Sequence, residues 1–168
     1  MDNLSVVAKK VVSWDEVLPV RNQMRREGRT VVWTNGCFDL FHAGHLRSLQ
    51  AARSLGEVLV VGLNSDDSVR QLKGPGRPIL PAADRAELLA GLACVAYVVV
   101  FAELTPEIAL ARLQPDVHCK GEDYGGSGKP IPEAEVVQRY GGRVAFLPLV
   151  AGISTTELIR RIQALGRA

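Results

Sequence analysis

The sequence predicts an α/β protein built on a doubly wound, five-stranded parallel sheet. Three observations predict it. Short apolar, β-branched runs alternate with stretches of helical period along the whole chain. The segments after those runs, 36–44, 64–66, 121–128 and 148–156, hold nearly all the unusual chemistry of the chain, as expected where ligands bind beyond the carboxyl ends of parallel strands. At 168 residues, 47% hydrophobic and 23% charged, the chain has the composition of an ordinary globular domain and the length to bury a core without disulfide staples.

Ser13-Trp14-Asp15-Glu16 reads as a capping box, and Val17, Val20 and Met24 recur at helical spacing until Gly28. We read residues 1–28 as an N-terminal helical extension and 29–168 as the main domain. Thr30–Thr34 is a buried strand, followed by the 36–44 loop and a helix from His45 to Leu55 closed by Gly56. Val58–Leu63 is the second strand, and Asn64-Ser65-Asp66 caps a helix to Leu72. Lys73–Pro81 is rich in Gly and Pro and reads as a mobile loop before the helix 82–92. Val95–Phe101 is the third strand, and Thr105-Pro106-Glu107 starts a helix with Pro at its first position. Asp116–Lys120, a Gly-rich loop, the helix 132–140 and the strand Arg143–Leu147 follow. Ser154-Thr155-Thr156-Glu157 caps the last helix. Right-handed crossovers make this order a Rossmann-like sheet.

A net charge of +2 is too small to draw nucleic acid or a membrane surface by bulk electrostatics, so anion recognition must be local. Cys37, Cys94 and Cys119 are odd in number and form no CxxC pair, which excludes a disulfide framework and fits a reducing cytoplasm. Residues 1–12 lack the apolar run of a signal peptide, and 95–102 is too short to span a bilayer.

The chemistry concentrates in Asn35-Gly36-Cys37-Phe38-Asp39-Leu40-Phe41-His42-Ala43-Gly44-His45. Gly36 permits a tight exit from the first strand and close approach of backbone N–H groups near Cys37 and Phe38 to phosphate oxygens. His42 and His45, three apart at a helix start, share one side of the helix where its dipole adds partial positive charge. Two imidazole donors at such a place suit a polyphosphate that gains charge during nucleotidyl transfer. The rival readings are a zinc pair, which usually has four-residue spacing and needs further ligands, and plain helix capping. His118, inside a strand, reads as a core or face residue.

The segment resembles the HxGH motif of the cytidylyltransferase-like nucleotidyltransferase superfamily, most closely its heptose 1-phosphate adenylyltransferases. The resemblance runs from about Ser13 to Ile162. It includes Thr34–Asp39, Asn64-Ser65-Asp66, Leu72-Lys73-Gly74, Arg77-Pro78, Pro81 with Arg85, Lys120-Gly121 with Asp123-Tyr124, and Ile153–Thr156. It implies the HxGH nucleotidyltransferase fold and transfer of AMP from ATP to a sugar 1-phosphate, with D-glycero-β-D-manno-heptose 1-phosphate giving ADP-heptose for lipopolysaccharide. Mg²⁺ would accompany ATP with few protein ligands. His42, His45 and Lys73 would be catalytic. Nucleotide contacts would come from Asn35, Gly36, Cys37, Phe38, Gly44, Arg85, Gly121, Asp123 and Ile153-Ser154-Thr155-Thr156. Asp39, Asn64, Asp66, Arg77 and Lys120 would face the sugar phosphate. In many bacteria this domain is fused to a sugar kinase, and here a separate kinase is expected to act upstream.

Each of these residues has a plainer reading. Ser154–Thr156 offers hydroxyls and free N–H groups to an anion, or simply caps a helix. Lys73, Arg77 and Arg85 close over a triphosphate, or form a solvated basic loop. Asp66 binds a sugar hydroxyl, or caps its helix. Cys37 has no dedicated base, and the reaction needs no covalent intermediate, so it is not a nucleophile. Two other functions compete: a cytidylyltransferase acting on glycerol 3-phosphate or a related phosphoalcohol, and a nucleotide-binding module without turnover. Leu149-Val150-Ala151 replaces an Arg-Thr-Glu frequent in the glycerol-phosphate enzymes, which weakens the first. The intact histidine pair and Lys73 weigh against the second. The first helix, through Trp14 and Val17, would support a homodimer or pack on its own domain.

Overall fold

The computed structural model describes residues 7, 9–122, 131–148 and 152–166. Five strands, β1 (Val31–Gly36), β2 (Val58–Asn64), β3 (Tyr97–Phe101), β4 (Val117–Gly121) and β5 (Arg143–Leu147), pair in parallel in the order β3-β2-β1-β4-β5. The chain winds outward from β1 through β2 to β3, then returns to lay β4 on the other side of β1. The switch point of the sheet therefore lies between β1 and β4, where the loop after β1 opens.

Among the described residues, seven helices cover the two faces: α1 (Trp14–Arg26), α2 (Ala43–Arg53), α3 (Asp66–Lys73), α4 (Ala82–Ala90), α5 (Glu107–Leu113), α6 (Pro132–Arg139) and α7 (Thr155–Leu165). The period-two alternation of β1 and β2 divides the core. Val32, Leu59, Val61 and Leu63 pack with Leu49 and Ala52 of α2 and Leu89 of α4. Val31, Trp33, Val58 and Val60 pack with Val17 and Met24 of α1, Leu110 and Leu113 of α5, and Val137 of α6. Both faces are buried, which is why the strands read as apolar runs. Burial of each Val, Leu or Met side chain among them contributes about 1.5–3 kcal/mol.

Trp33 sets the tightest contact. A Cβ on Gly62 would lie 2.2 Å from its Cζ2, so the paired strand carries glycine where the indole crosses it. Trp14 stacks on the same ring at 6.2 Å. Helix α1 thus belongs to the core of the sheet. The expected box at Ser13 is present: its hydroxyl accepts the Glu16 N–H, and Glu16 accepts the Ser13 N–H at 2.7 Å.

Several boundaries differ from expectation, β3 for instance beginning at Tyr97 rather than Val95. Strand β1 extends to Gly36, so Asn35 and Gly36 pair with Gly62 and Leu63 and are not loop residues. Helix α2 begins at Ala43, with His42 as its N-cap, because the imidazole supplies the capping acceptor. Pro106 is the N-cap of α5, one residue before the first helical position. Among the described residues, no helix is long and apolar enough to cross a membrane.

Candidate active site

The loop leaving β1 turns back on itself. Phe38 (φ 46°) and Leu40 (φ 47°) both occupy the left-handed region, which side chains other than glycine enter at a cost. The turn buries the Phe38 ring and the Asp39 side chain. Phe38 meets the His45 ring edge-on at 5.3 Å, and Phe41 lies 5.6 Å from it. The Asp39 carbonyl accepts the Thr155 hydroxyl at 2.7 Å, joining this loop to the start of α7.

The spacing His-x-Gly-His now has a geometric cause. His42 Nδ1 accepts the backbone N–H of His45 at 3.3 Å. That acceptance leaves the proton of the neutral ring on Nε2, free to donate outward. The imidazole folds over Gly44, where a Cβ would stand 2.9 Å from His42 Nδ1 and 3.2 Å from Ile153 Cγ2. The two rings stack with centroids 3.8 Å apart. Burial and the neighbouring His42 push the His45 pKa down to about 4, with Asp39 acting weakly the other way. Burial also lowers His42. Both rings are therefore neutral at neutral pH, and the partial positive charge beside them is that of the helix N–H groups. His45 Nδ1 is buried with no hydrogen-bond partner among the described residues.

The cations divide sharply. Arg85, in α4, is buried, and its guanidinium donates to the carbonyls of Leu80 (3.0 Å), Cys37 (2.6 Å) and Asn64 (3.0 Å) and to Asp66 Oδ1 (2.6 Å). It ties the ends of β1 and β2 together. Asp39 accepts Arg77 Nε at 2.6 Å and the N–H groups of Ile79 (2.9 Å) and Leu80 (3.1 Å). Burial opposes its ionisation, but those donors outweigh it and hold the carboxyl below its usual range. The segment 77–80, expected to be mobile, is fastened by this carboxylate. Asn64 is also buried, donating to Ser68 Oγ at 3.0 Å. Ser65, not Asp66, caps α3. Lys73, the last residue of α3, is exposed with no side-chain partner among the described residues, yet its charge reaches Cys37. Burial pushes the Cys37 thiol up, which fits its reading as a non-nucleophile.

At the end of β4, Lys120 pairs with the buried Glu133 of α6, and His118 Nε2 stands 3.7 Å from the same oxygen. Burial works against ionisation of Glu133, but His118 and Lys120 hold it at about 2. His118 is fully buried, as its place inside a strand implied. Sequence reasoning missed Glu133. The signal was the alternation that puts 118 and 120 on the α6 face. Gly121 ends β4, whereas Asp123 and Tyr124 lie outside the described residues, as do Leu149-Val150-Ala151.

Ser154 caps α7 by accepting the Glu157 N–H at 3.2 Å, and Thr156 is exposed beside it. The Gly44–Ile153 and Asp39–Thr155 contacts bring the α7 start to the α2 start, so two helix N-termini converge at the switch point. A cavity of about 360 Å³ lies between the start of α3 and the 76–81 segment, lined by Asp66, Arg70 and Arg77 among others.

Comparison with known proteins places this geometry. Residues 33–161 match the cytidylyltransferase-like family. The bifunctional protein HldE of Syntrophotalea carbinolica is 47% identical over 163 residues, covering 93% of this chain and 33% of that protein. The bifunctional protein HldE of Trichlorobacter lovleyi is 50% identical over 138 residues, 82% of this chain and 28% of that one. The chain thus spans about a third of the length of these relatives. In fold it is similar to the lipopolysaccharide core biosynthesis protein from Thermoplasma volcanium, with a TM-score of 0.60, 24% identity, and coverage of 73% of this chain and 98% of that one. The match over 33–161 contains both histidines, both converging helix starts and all five strands but the first two residues of β1, and the chain belongs to the cytidylyltransferase-like family of nucleotidyltransferases.

Proposed function

We propose that the protein transfers AMP from ATP to a sugar 1-phosphate, D-glycero-β-D-manno-heptose 1-phosphate, releasing pyrophosphate and forming ADP-heptose. The observation that carries nucleotidyl transfer is the pair of stacked, neutral imidazoles at the convergence of two helix N-termini. The heptose acceptor rests on the TNGCFD, NSD and KGxDY segments.

A phosphate oxygen of the acceptor attacks the α-phosphorus of ATP, a new P–O bond forms, and the bond to the β-phosphate breaks. The attacking oxygen is already anionic, so the step needs no strong base. His42 Nε2–H and His45 donate to α- and β-phosphate oxygens as charge shifts to the leaving pyrophosphate. The N–H groups at the starts of α2 and α7, with Thr156, hold the remaining oxygens. Lys73 closes from the end of α3. Arg85, Asp39 and Asn64 act one step back, holding the strand ends and the 77–80 segment that shape the pocket. Asp66, Arg77 and Lys120 border the acceptor side. Mg²⁺, arriving with ATP, would supply neutralisation of phosphate charge, with few protein ligands. A phosphorylating enzyme must supply the sugar 1-phosphate.

Pyrophosphate release is measured with ATP, CTP and GTP, Mg²⁺ and a panel of phosphorylated acceptors. The reading expects turnover with ATP and the heptose 1-phosphate. Turnover with CTP and glycerol 3-phosphate would replace it with the cytidylyltransferase, and nucleotide binding without turnover on any acceptor would replace it with a binding module.

A further inference from the structure

The opposite edge of the sheet carries a second concavity, of about 480 Å³, between α1, the turn from α5 into β4 and the turn from α6 into β5. Those turns precede their strands, whereas the histidine loop follows β1. The five residues of β4 separate the two edges by about 15 Å at about 3.3 Å per residue. Arg21, Arg25 and Arg139 line the cavity, and among the described residues Asp116 is the one carboxylate lining it.

Most of Arg21 has a structural role. Its Nε and Nη2 donate to the Gln114 carbonyl at 2.9 and 2.8 Å, and Nη2 also meets Asp116 Oδ1 at 2.8 Å. Asp116 Oδ2 accepts the Val31 N–H at 2.7 Å. This brace joins α1 to the starts of β1 and β4. It leaves Arg21 Nη1 unpartnered among the described residues, although Arg21 is only 3% exposed. The Tyr140 hydroxyl is a second buried group without a partner there. Burial pushes its pKa up, with Arg21 acting against and Asp116 with that shift, so the three groups sit together. Buried donors without acceptors are uncommon in folded proteins and point to a missing acceptor.

Charge decides which acceptor. Among the described residues, the Arg25 guanidinium meets the neutral Gln114 side chain alone, at 3.3 Å, and Arg139 faces Glu135 at 3.6 Å in an exposed pair of little strength. Three guanidiniums against one lining carboxylate favour an anion over water alone. Guanidinium forks match tetrahedral oxyanions. The concave shape suits a small anion better than an acidic side chain on a flat partner surface.

We propose that this cavity binds a phosphate-class oxyanion, with Arg21 Nη1 and the Tyr140 hydroxyl donating from its floor and Arg25 and Arg139 from its rim. The site is separate from the nucleotidyl-transfer centre and stands whether or not that reading holds.

The test is an amide NMR titration of the full chain with inorganic phosphate, against chloride at matched ionic strength. Gly141 and Gly142 amides and Arg21 Nε–H report this cavity, while Gly36 and Gly44 report the other edge. Saturable shifts at Gly141 and Gly142 are expected with phosphate and not with chloride. The double variant Arg25→Ala/Arg139→Ala, which changes exposed side chains, should weaken them at least tenfold and leave Gly36 and Gly44 responding as before. Tyr140→Phe should weaken them several-fold with the rim intact. A parallel titration with ribose 5-phosphate separates the sources: tighter saturation assigns a phosphorylated metabolite, and equal or weaker saturation assigns free phosphate. No saturable shift, an equal response to chloride, or a shift that survives the double variant overturns the proposal.

Discussion

Lys73 and Arg85 flank the same loop, and the fold treats them in opposite ways. Arg85 is 1% exposed, and its guanidinium is taken up by three carbonyls and Asp66. Lys73 is exposed, unpartnered among the described residues, and close enough to bias Cys37. A planar fork with five donors is suited to tying several backbone carbonyls at once, whereas a flexible ammonium is suited to meeting a ligand that arrives. On the proposed reading, positive charge beside the phosphates divides into groups that build the site and groups that would touch its contents.

Substitution at the two positions separates these roles. Arg85→Leu leaves Asp66 unpaired and buried carbonyls unsatisfied, and should lower stability by about 3–5 kcal/mol, read from denaturant unfolding. Lys73→Ala should leave the unfolding midpoint in place and lower kcat/KM for ATP about tenfold, or about 1.4 kcal/mol of transition-state stabilisation. An unfolding shift at Lys73 with none at Arg85 would break the comparison.

A smaller effect tests the neutral imidazole. Unfolded histidine titrates near 6.5, and folded His45 at about 4. Between those pH values the unfolded chain binds a proton that the folded one does not, so stability rises with pH across the window. His45→Gln should flatten that part of the profile. Glu133, held at about 2 against an ordinary 4.5, acts in the next window down. Its contribution is complete above 4.5 and is lost as pH falls towards 2. A slope between 4 and 6.5 that is unchanged in the His45 variant would place the His45 pKa near its ordinary value.

The fold was legible because its signals are local. Apolar runs such as Val58–Leu63, the Ser13 box and the Ser154 cap each report their own few residues, and the alternation of strands and helices leaves few topologies. The histidine pair was legible for the same reason, since its geometry is set within four residues of one helix start. The partners of the charged residues were not. Asp39 reaches Ile79 and Leu80 forty residues on, Arg85 reaches back to Cys37, and Glu133 lies across from Lys120 only once β4 and α6 pack. Residue type marked Asp39, Arg85 and Lys120 as candidates, and burial decided which way they face. The strain at Phe38 and Leu40 had no signal either, because neither residue type prefers a left-handed backbone.

The most direct test is pyrophosphate release from ATP and heptose 1-phosphate by the His45→Ala variant beside the unsubstituted protein, with folding checked by circular dichroism. If the stacked imidazoles stabilise the transferring phosphates, kcat falls by well over tenfold while the fold is retained. Turnover at the unsubstituted rate in a folded variant would contradict the placement of nucleotidyl transfer at the start of α2.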